Sequence, residues 1–173
     1  YYNCPAFVLL GSRSCLSISG RDYRPENEKV GINNLITIDL SPSRNGIWGD
    51  CARSFYMEDG VCSEYPTRPE FVLGASLEKY LHQELCTFAK PEKTFAELYE
   101  FSNREISKHG FINLDFLGNV GHSIECDRDK RKYIEQSNNC SLGSVQLFTF
   151  EPHIRSLNGK WEFKHENIYY FEN

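Results

Sequence analysis

The spacing of apolar positions changes twice along the chain. Ala6–Leu10 and Asn34–Leu40 are short apolar, β-prone runs, and the Ser, Gly, Arg and Pro-rich stretch between them reads as turns. Ser41–Gly46 is turn chemistry, so Ile47–Met57 is predicted to return beside Asn34–Leu40 as a hairpin. Leu73, Leu77, Leu81, Leu85 and Phe88 then recur at helical intervals. Thr67-Arg-Pro-Glu70 precedes them with capping-box spacing and Pro91 follows, which predicts an amphipathic helix over residues 68–89. A second box, Thr94-Phe-Ala-Glu97, opens a helix with Phe95, Leu98, Phe101 and Ile106 inward and Gly110 as its left-handed terminator. β character returns in Gly118–Glu125, Val145–Arg155 and Trp161–Glu172, with Asn158-Gly159 turning between the last two. Strands, two helices, then strands predict an α+β fold, with helices on one face of a curved antiparallel sheet, in one domain over residues 1–173.

Strand parity then decides which acids share a face. If the hairpin turn centres between Arg44 and Asn45, Asp39 lies opposite Asp50. If Asn45-Gly46 is the tight turn, Asp39 faces Ala52 and lies diagonal to Asp50. Both registers put the two carboxylates on one face, roughly 5–8 Å apart, where they repel unless a cation intervenes. A reversal at Asn158-Gly159 pairs Glu151 with Glu166 and puts Glu172 on the Glu166 face. Glu151 and Glu172 each end an apolar run, where an acid needs a partner. Taken singly, each acid reads more simply as a strand-end charge paired to one of the 19 Lys and Arg residues, and a lone His122 as a hydrogen-bonded core histidine. Four acids gathered in this way point to a metal site.

Composition narrows the classes. A charged fraction of 25% and a hydrophobic fraction of 40% are those of a folded globular chain. The net charge of −5 and scattered basic residues exclude a phosphate-tracking stripe, so no nucleic-acid partner is expected. No apolar run approaches a membrane span, and Tyr1–Gly20 lacks the basic start of a secretory signal. Seven cysteines without CxxC spacing predict reduced thiols and a cytoplasmic location.

Ile38-Asp-Leu-Ser-Pro42 followed by Gly46-Ile-Trp-Gly-Asp-Cys-Ala-Arg-Ser-Phe55, then Gly121-His122, Thr149-Phe-Glu-Pro152 and the strand His165–Glu172, resemble in order the motifs of the pita-bread metallopeptidases. These are the methionine aminopeptidases, Xaa-Pro aminopeptidases and prolidases. The likeness covers nearly the whole chain, and Arg53-Ser54-Phe55 is closest to the Xaa-Pro branch. It implies two divalent ions (Mn, Co, Fe or Zn) held by Asp39, Asp50, His122, Glu151 and Glu172. Asp50 and Glu172 would bridge the ions, Asp39 would bind one of them, and His122 with Glu151 would complete the other. Such a pair can supply hydroxide near neutral pH and stabilise a tetrahedral intermediate, with Glu151 shuttling the proton. The implied activity is hydrolysis of N-terminal peptide bonds.

Three departures qualify that expectation. The family histidine on the strand before the aspartate hairpin has no counterpart in Leu16–Gly20, and the one seven residues after the Gly-His ligand falls on Asp129. Histidine acid/base assistance is typically worth about 10²–10⁴ in rate, so a metal-binding or interaction module without turnover is the rival reading. His153, two residues beyond Glu151, is a candidate replacement in catalysis, with a structural histidine as the plainer alternative. Finally, only five residues precede Ala6, so the family's N-terminal helix pair is expected to be missing and a homo-oligomer or partner to cover the bare sheet face.

Overall fold

The computed structural model describes residues 6–18, 20 and 22–172, with the Arg128 side chain left out; Cys4 lies outside them. In chain order the strands are β1 (Phe7–Leu10), β2 (Asn34–Leu40), β3 (Ser43–Arg44), β4 (Ile47–Trp48), β5 (Cys51–Glu58) and β6 (Val61–Ser63). The helices α1 (Pro69–Phe88) and α2 (Phe95–Lys108) follow. The chain then returns to β7 (Phe111–Asn113), β8 (Phe148–Phe150), β9 (His153–Ser156), β10 (Glu162–Lys164) and β11 (Asn167–Tyr169). All strand pairs are antiparallel. Their hydrogen-bonded orders are β1-β2-β5-β6, β10-β9-β7, β11-β8 and β3-β4, which gives the α+β architecture expected.

Two long hairpins organise the molecule, and each is interrupted opposite a proline. In the first, Asp39 faces Ala52, which is the register of an Asn45-Gly46 turn. Those two residues have φ values of 53° and 78°, the left-handed pair that a type I′ turn requires. The run Ile47–Met57 is not one strand: the ladder breaks at Gly49-Asp50, where facing Pro42 has no N–H to give and only Gly49 N–H donates to its carbonyl at 3.0 Å. In the second hairpin, Glu162↔Arg155 and Asn167↔Phe150 share one register, which sets Glu166 opposite Glu151. Here the ladder is interrupted at Pro152. The hairpins meet side by side, with Glu166 N–H donating to the Ala52 carbonyl at 3.0 Å and Lys164 N–H to Ser54 Oγ at 3.0 Å.

The helices match their predicted spans, but one cap differs. At α2, Thr94 and Glu97 form the reciprocal capping box, and Gly110 turns out of the helix at φ 75°. At α1 the N-cap is Arg68, with Pro69 in the first turn and no side-chain cap. The carboxylate of Glu58 takes the cap's place from outside the helix, accepting from Thr67 N at 2.9 Å and Arg68 N at 2.6 Å. Leu73 is 57% exposed, contrary to its predicted inward place. Four-residue steps drift around a 3.6-residue helix, so Leu73 has left the stripe formed by Gly74, Leu77, Leu81 and Leu85. That stripe and the α2 residues Phe95, Leu98 and Ile106 share one core with Phe111, Phe150, Ile154 and Phe163.

Gly118–Glu125 is a loop and not the expected strand. Gly118 and Gly121 hold φ values of 72° and 147°, and the segment is tied down by isolated bridges, His122↔Tyr133 and Ser123↔Phe148, and by single backbone hydrogen bonds such as Glu151 N–H to the Val120 carbonyl. Strands β6 and β7 were not predicted; three residues each are too few to show alternation. The described cysteines are all free, and no described helix is long and apolar enough to cross a membrane.

Candidate metal centre

Both ladder interruptions put ligand-type side chains at the same place. Asp50 sits in the first break, where Ser41 Oγ donates to its Oδ1 at 2.5 Å and its Oδ2 lies 3.6 Å from His122 Nε2. His122 is brought there by a close backbone approach. A Cβ on Gly121 would stand 2.2 Å from the Thr149 carbonyl oxygen, so only glycine lets this loop lie against β8. Thr149 N–H donates to the His122 carbonyl at 2.7 Å, and His122 N–H donates to Thr149 Oγ1 at 3.0 Å. The imidazole Nδ1 is 3.0 Å from the Ser123 carbonyl, which can only accept. The proton therefore sits on Nδ1, and Nε2 faces the carboxylates of Asp50 and Glu151, where a metal ligand would stand.

Glu166 completes the group. Ligand atoms of Asp50, His122 and Glu166 all lie within 4.8 Å of one another, the one such group among the described residues. Glu166 is fully buried, and both carboxylate oxygens lack a hydrogen-bond partner among the described residues. Burial first, then the nearby Glu151 charge, push its pKa well above the usual range. A buried carboxylate without a partner is costly unless a cation meets it. Two carboxylates and one imidazole suit Mn, Co, Fe or Zn, so the donor set fits a divalent ion.

Asp39 and Glu151 flank this cluster but are held by another residue. Lys164 Nζ lies 2.8 Å from Asp39 Oδ2 and 3.0 Å from Glu151 Oε2. Glu151 Oε1 also lies 3.5 Å from His122 Nε2 and accepts from Thr149 Oγ1 at 3.3 Å. Burial opposes charge on Lys164, yet Asp39 and Glu151 outweigh it and hold the ammonium well above its ordinary pKa. Burial likewise opposes ionisation of Glu151, and the charges of Lys164 and His122 overcome it.

Asp39, Asp50, His122, Glu151 and Lys164 open onto a cavity of about 510 Å³ whose other walls include Phe7, Leu16, Phe116 and Tyr133. That volume suits a small peptide-like molecule.

The sequence profile of metallopeptidase family M24 matches residues 1–173. The chain belongs to that family. A comparison with curated proteins finds no match. Among solved structures, a prolidase from Thermococcus sibiricus superposes with a TM-score of 0.76 at 19% identity, covering 97% of this chain and 42% of that one. An X-Pro aminopeptidase from Thermotoga maritima gives 0.75 at 22% identity, covering 94% and 43%. A methionine aminopeptidase from the same organism gives 0.69 at 12% identity, covering 96% and 69%. The fold is thus the pita-bread fold of M24 metallopeptidases, and the chain spans less than half the length of the first two structures.

Within that fold the five residues expected as ligands do not all meet. Of the expected residues, Asp50 and His122 stand in the cluster, Asp39 and Glu151 flank it on Lys164, and Glu172 is exposed beyond the end of β11 and takes no part in the cluster. Glu166 stands in the place assigned to it. Both residues have the same strand parity, so alternation alone could not separate them. The register opposite Glu151 could, because Glu166 faces it directly while Glu172 lies six residues further along.

His153 lines the cavity, but its Nε2 is engaged by Glu162 Oε2 at 2.7 Å and the Ser14 carbonyl at 2.9 Å. Glu162 in turn accepts from Thr37 Oγ1 at 2.5 Å, which makes His153 part of a buried network. The ring neighbours of His122 are Trp48 and Tyr133, with centroids 5.8 and 5.9 Å away, and Asp129 is not among its contacts; the Arg131 guanidinium stacks over the Tyr133 ring. Counting seven residues from His122 could not find them, because the loop is longer before it returns to pair. Arg53 proves structural: its guanidinium clamps the Glu166 carbonyl at 2.5 Å and Asn167 Oδ1 at 2.6 Å, fixing the strand that carries Glu166.

Proposed function

We propose that the chain hydrolyses N-terminal peptide bonds with a divalent metal ion, most nearly as an Xaa-Pro aminopeptidase does. The observation that carries this is the buried, unpartnered Glu166 carboxylate gathered with Asp50 and His122 beside a peptide-sized cavity. A bound ion of the Mn, Co, Fe or Zn type supplies Lewis acidity and lowers the pKa of water. The protein's own groups do the rest. Nδ1–H of His122, tied to Ser123, keeps Nε2 aimed at the cluster. Glu151, on the cavity wall beside His122, is the carboxylate placed to take a proton from water and return it to the leaving amine. The apolar walls hold the substrate and exclude bulk water.

A second reading, a metal-binding module without turnover, is favoured by one specific observation. The cavity wall carries Leu16, Ser17, Ile18 and Tyr133, and among the described residues the one histidine that lines it besides His122 is His153, engaged with Glu162. Turnover of a dipeptide and Xaa-Pro peptide panel after chelation and after Mn(II) reconstitution separates the two. Metal-dependent release of N-terminal residues supports the peptidase. Bound metal without release of any N-terminal residue supports the module and overturns the peptidase reading.

A further inference from the structure

The acids around the centre fall into two sets. Asp50, His122 and Glu166 converge within 4.8 Å, and neither Glu166 oxygen has a hydrogen-bond partner among the described residues. Asp39 and Glu151 lie outside that group, and both are satisfied by one ammonium, Lys164 Nζ, at 2.8 and 3.0 Å. We propose that Lys164 is a resident cation occupying the second half of the site, so that this chain holds one divalent ion, on Asp50, His122 and Glu166, instead of two.

The chemistry is that of charge substitution. Two carboxylates facing one cavity repel unless a cation joins them, and an ammonium with three donors can join them as a metal ion does. An ion bound through Asp39 would have to share that carboxylate with the ammonium already on it, and like charges in a poorly solvated site repel strongly. Lys164 is also poorly placed to withdraw. Its backbone is pinned in β10 opposite His153 and hydrogen-bonded to Ser54, and its side chain is only 17% exposed. Glu162, Lys164 and Glu166 alternate along one strand face, serving in turn the His153 network, the Asp39–Glu151 pair and the metal cluster.

This inference rests on the metal reading above, and Mn(II) stoichiometry tests the two separately. Equilibrium dialysis followed by elemental analysis should find one Mn(II) per wild-type chain, with the six-line electron paramagnetic resonance spectrum of an isolated ion. Lys164→Met should bind two, with a spectrum broadened by coupling between them, and Lys164→Arg, which keeps a cation, should stay at one. Two ions in the wild type would overturn the proposal and leave the metal reading standing. So would a single ion in a Lys164→Met protein whose circular dichroism matches the wild type. No bound ion in the wild type would overturn both. Should Lys164→Met fail to fold, the wild-type and Lys164→Arg stoichiometries still decide.

Discussion

His82 is a buried imidazole that the metal site does not use. Its Nε2 lies 3.0 Å from the His165 carbonyl, so that nitrogen carries the proton, and its Nδ1 accepts from the Tyr169 hydroxyl at 2.6 Å. Burial, then the charge of His165, push its pKa down to about 3 from an ordinary 6.5. Below 6.5 the unfolded chain takes up a proton that the folded chain refuses. Stability is therefore fully present above 6.5 and lost as pH falls towards 3. Urea denaturation should show a loss of about 1.5 kcal/mol from this residue between pH 6.5 and 5, and His82→Gln should remove that part of the slope. An unchanged slope in the variant would contradict it. At this scale the sequence was legible where a residue has a strong local signature. Gly121 with His122, Asp39 and Asp50 were readable, because a glycine at a close approach and acids of fixed parity leave marks in one dimension. Lys164 was not, since a lysine on a strand reads as a solvated charge until its partners 125 and 13 residues away are in place. Glu166 was half-legible: its register opposite Glu151 was readable, and its role was not.

Among the elements, α1 shows how tightly the helices meet the sheet. A Cβ on Gly74 would fall 2.2–2.3 Å from carbons of the Phe163 ring, and Phe163 belongs to β10, beside Lys164. In an exposed helix, replacing glycine by alanine gains about 1 kcal/mol. At Gly74 the overpacking should reverse that sign, and chemical denaturation of Gly74→Ala should show a loss of roughly 1–3 kcal/mol. A stabilised variant would show that the helix does not press on β10 as described. Helix spans, the α2 capping box and the Asn158-Gly159 turn were readable from the sequence, because each rests on neighbours within a few residues; the first hairpin left two registers open, and Asp39 facing Ala52 decides between them. The breaks at Asp50 and at Glu151-Pro152 were harder to read. They depend on Pro42 and Pro152 withholding a donor from a ladder, and on which residue each faces, which follows only once the register is fixed. Those breaks matter for function, since they release the backbone where three of the site acids stand.

For the molecule as a whole, two interrupted hairpins laid side by side bring residues from opposite ends of the chain to one point, and a glycine-rich loop supplies the imidazole between them. The segregated order of strands and helices announced the α+β fold, and the M24 family match agrees with it. The loop carrying Arg131 and Tyr133 into the cavity follows no periodic rule and became visible only in three dimensions. The proposed peptidase stands on a divalent ion bound by Asp50, His122 and Glu166. Calorimetric titration of Mn(II) into the wild type, Glu166→Gln and Glu172→Gln tests it most directly. Loss of an outer-shell partner alone costs about 10–100-fold in affinity, so loss of the Glu166 carboxylate should weaken binding by at least ~100-fold, with Glu172→Gln indistinguishable from the wild type. Binding that survives in Glu166→Gln, or that is lost in Glu172→Gln, would contradict the account.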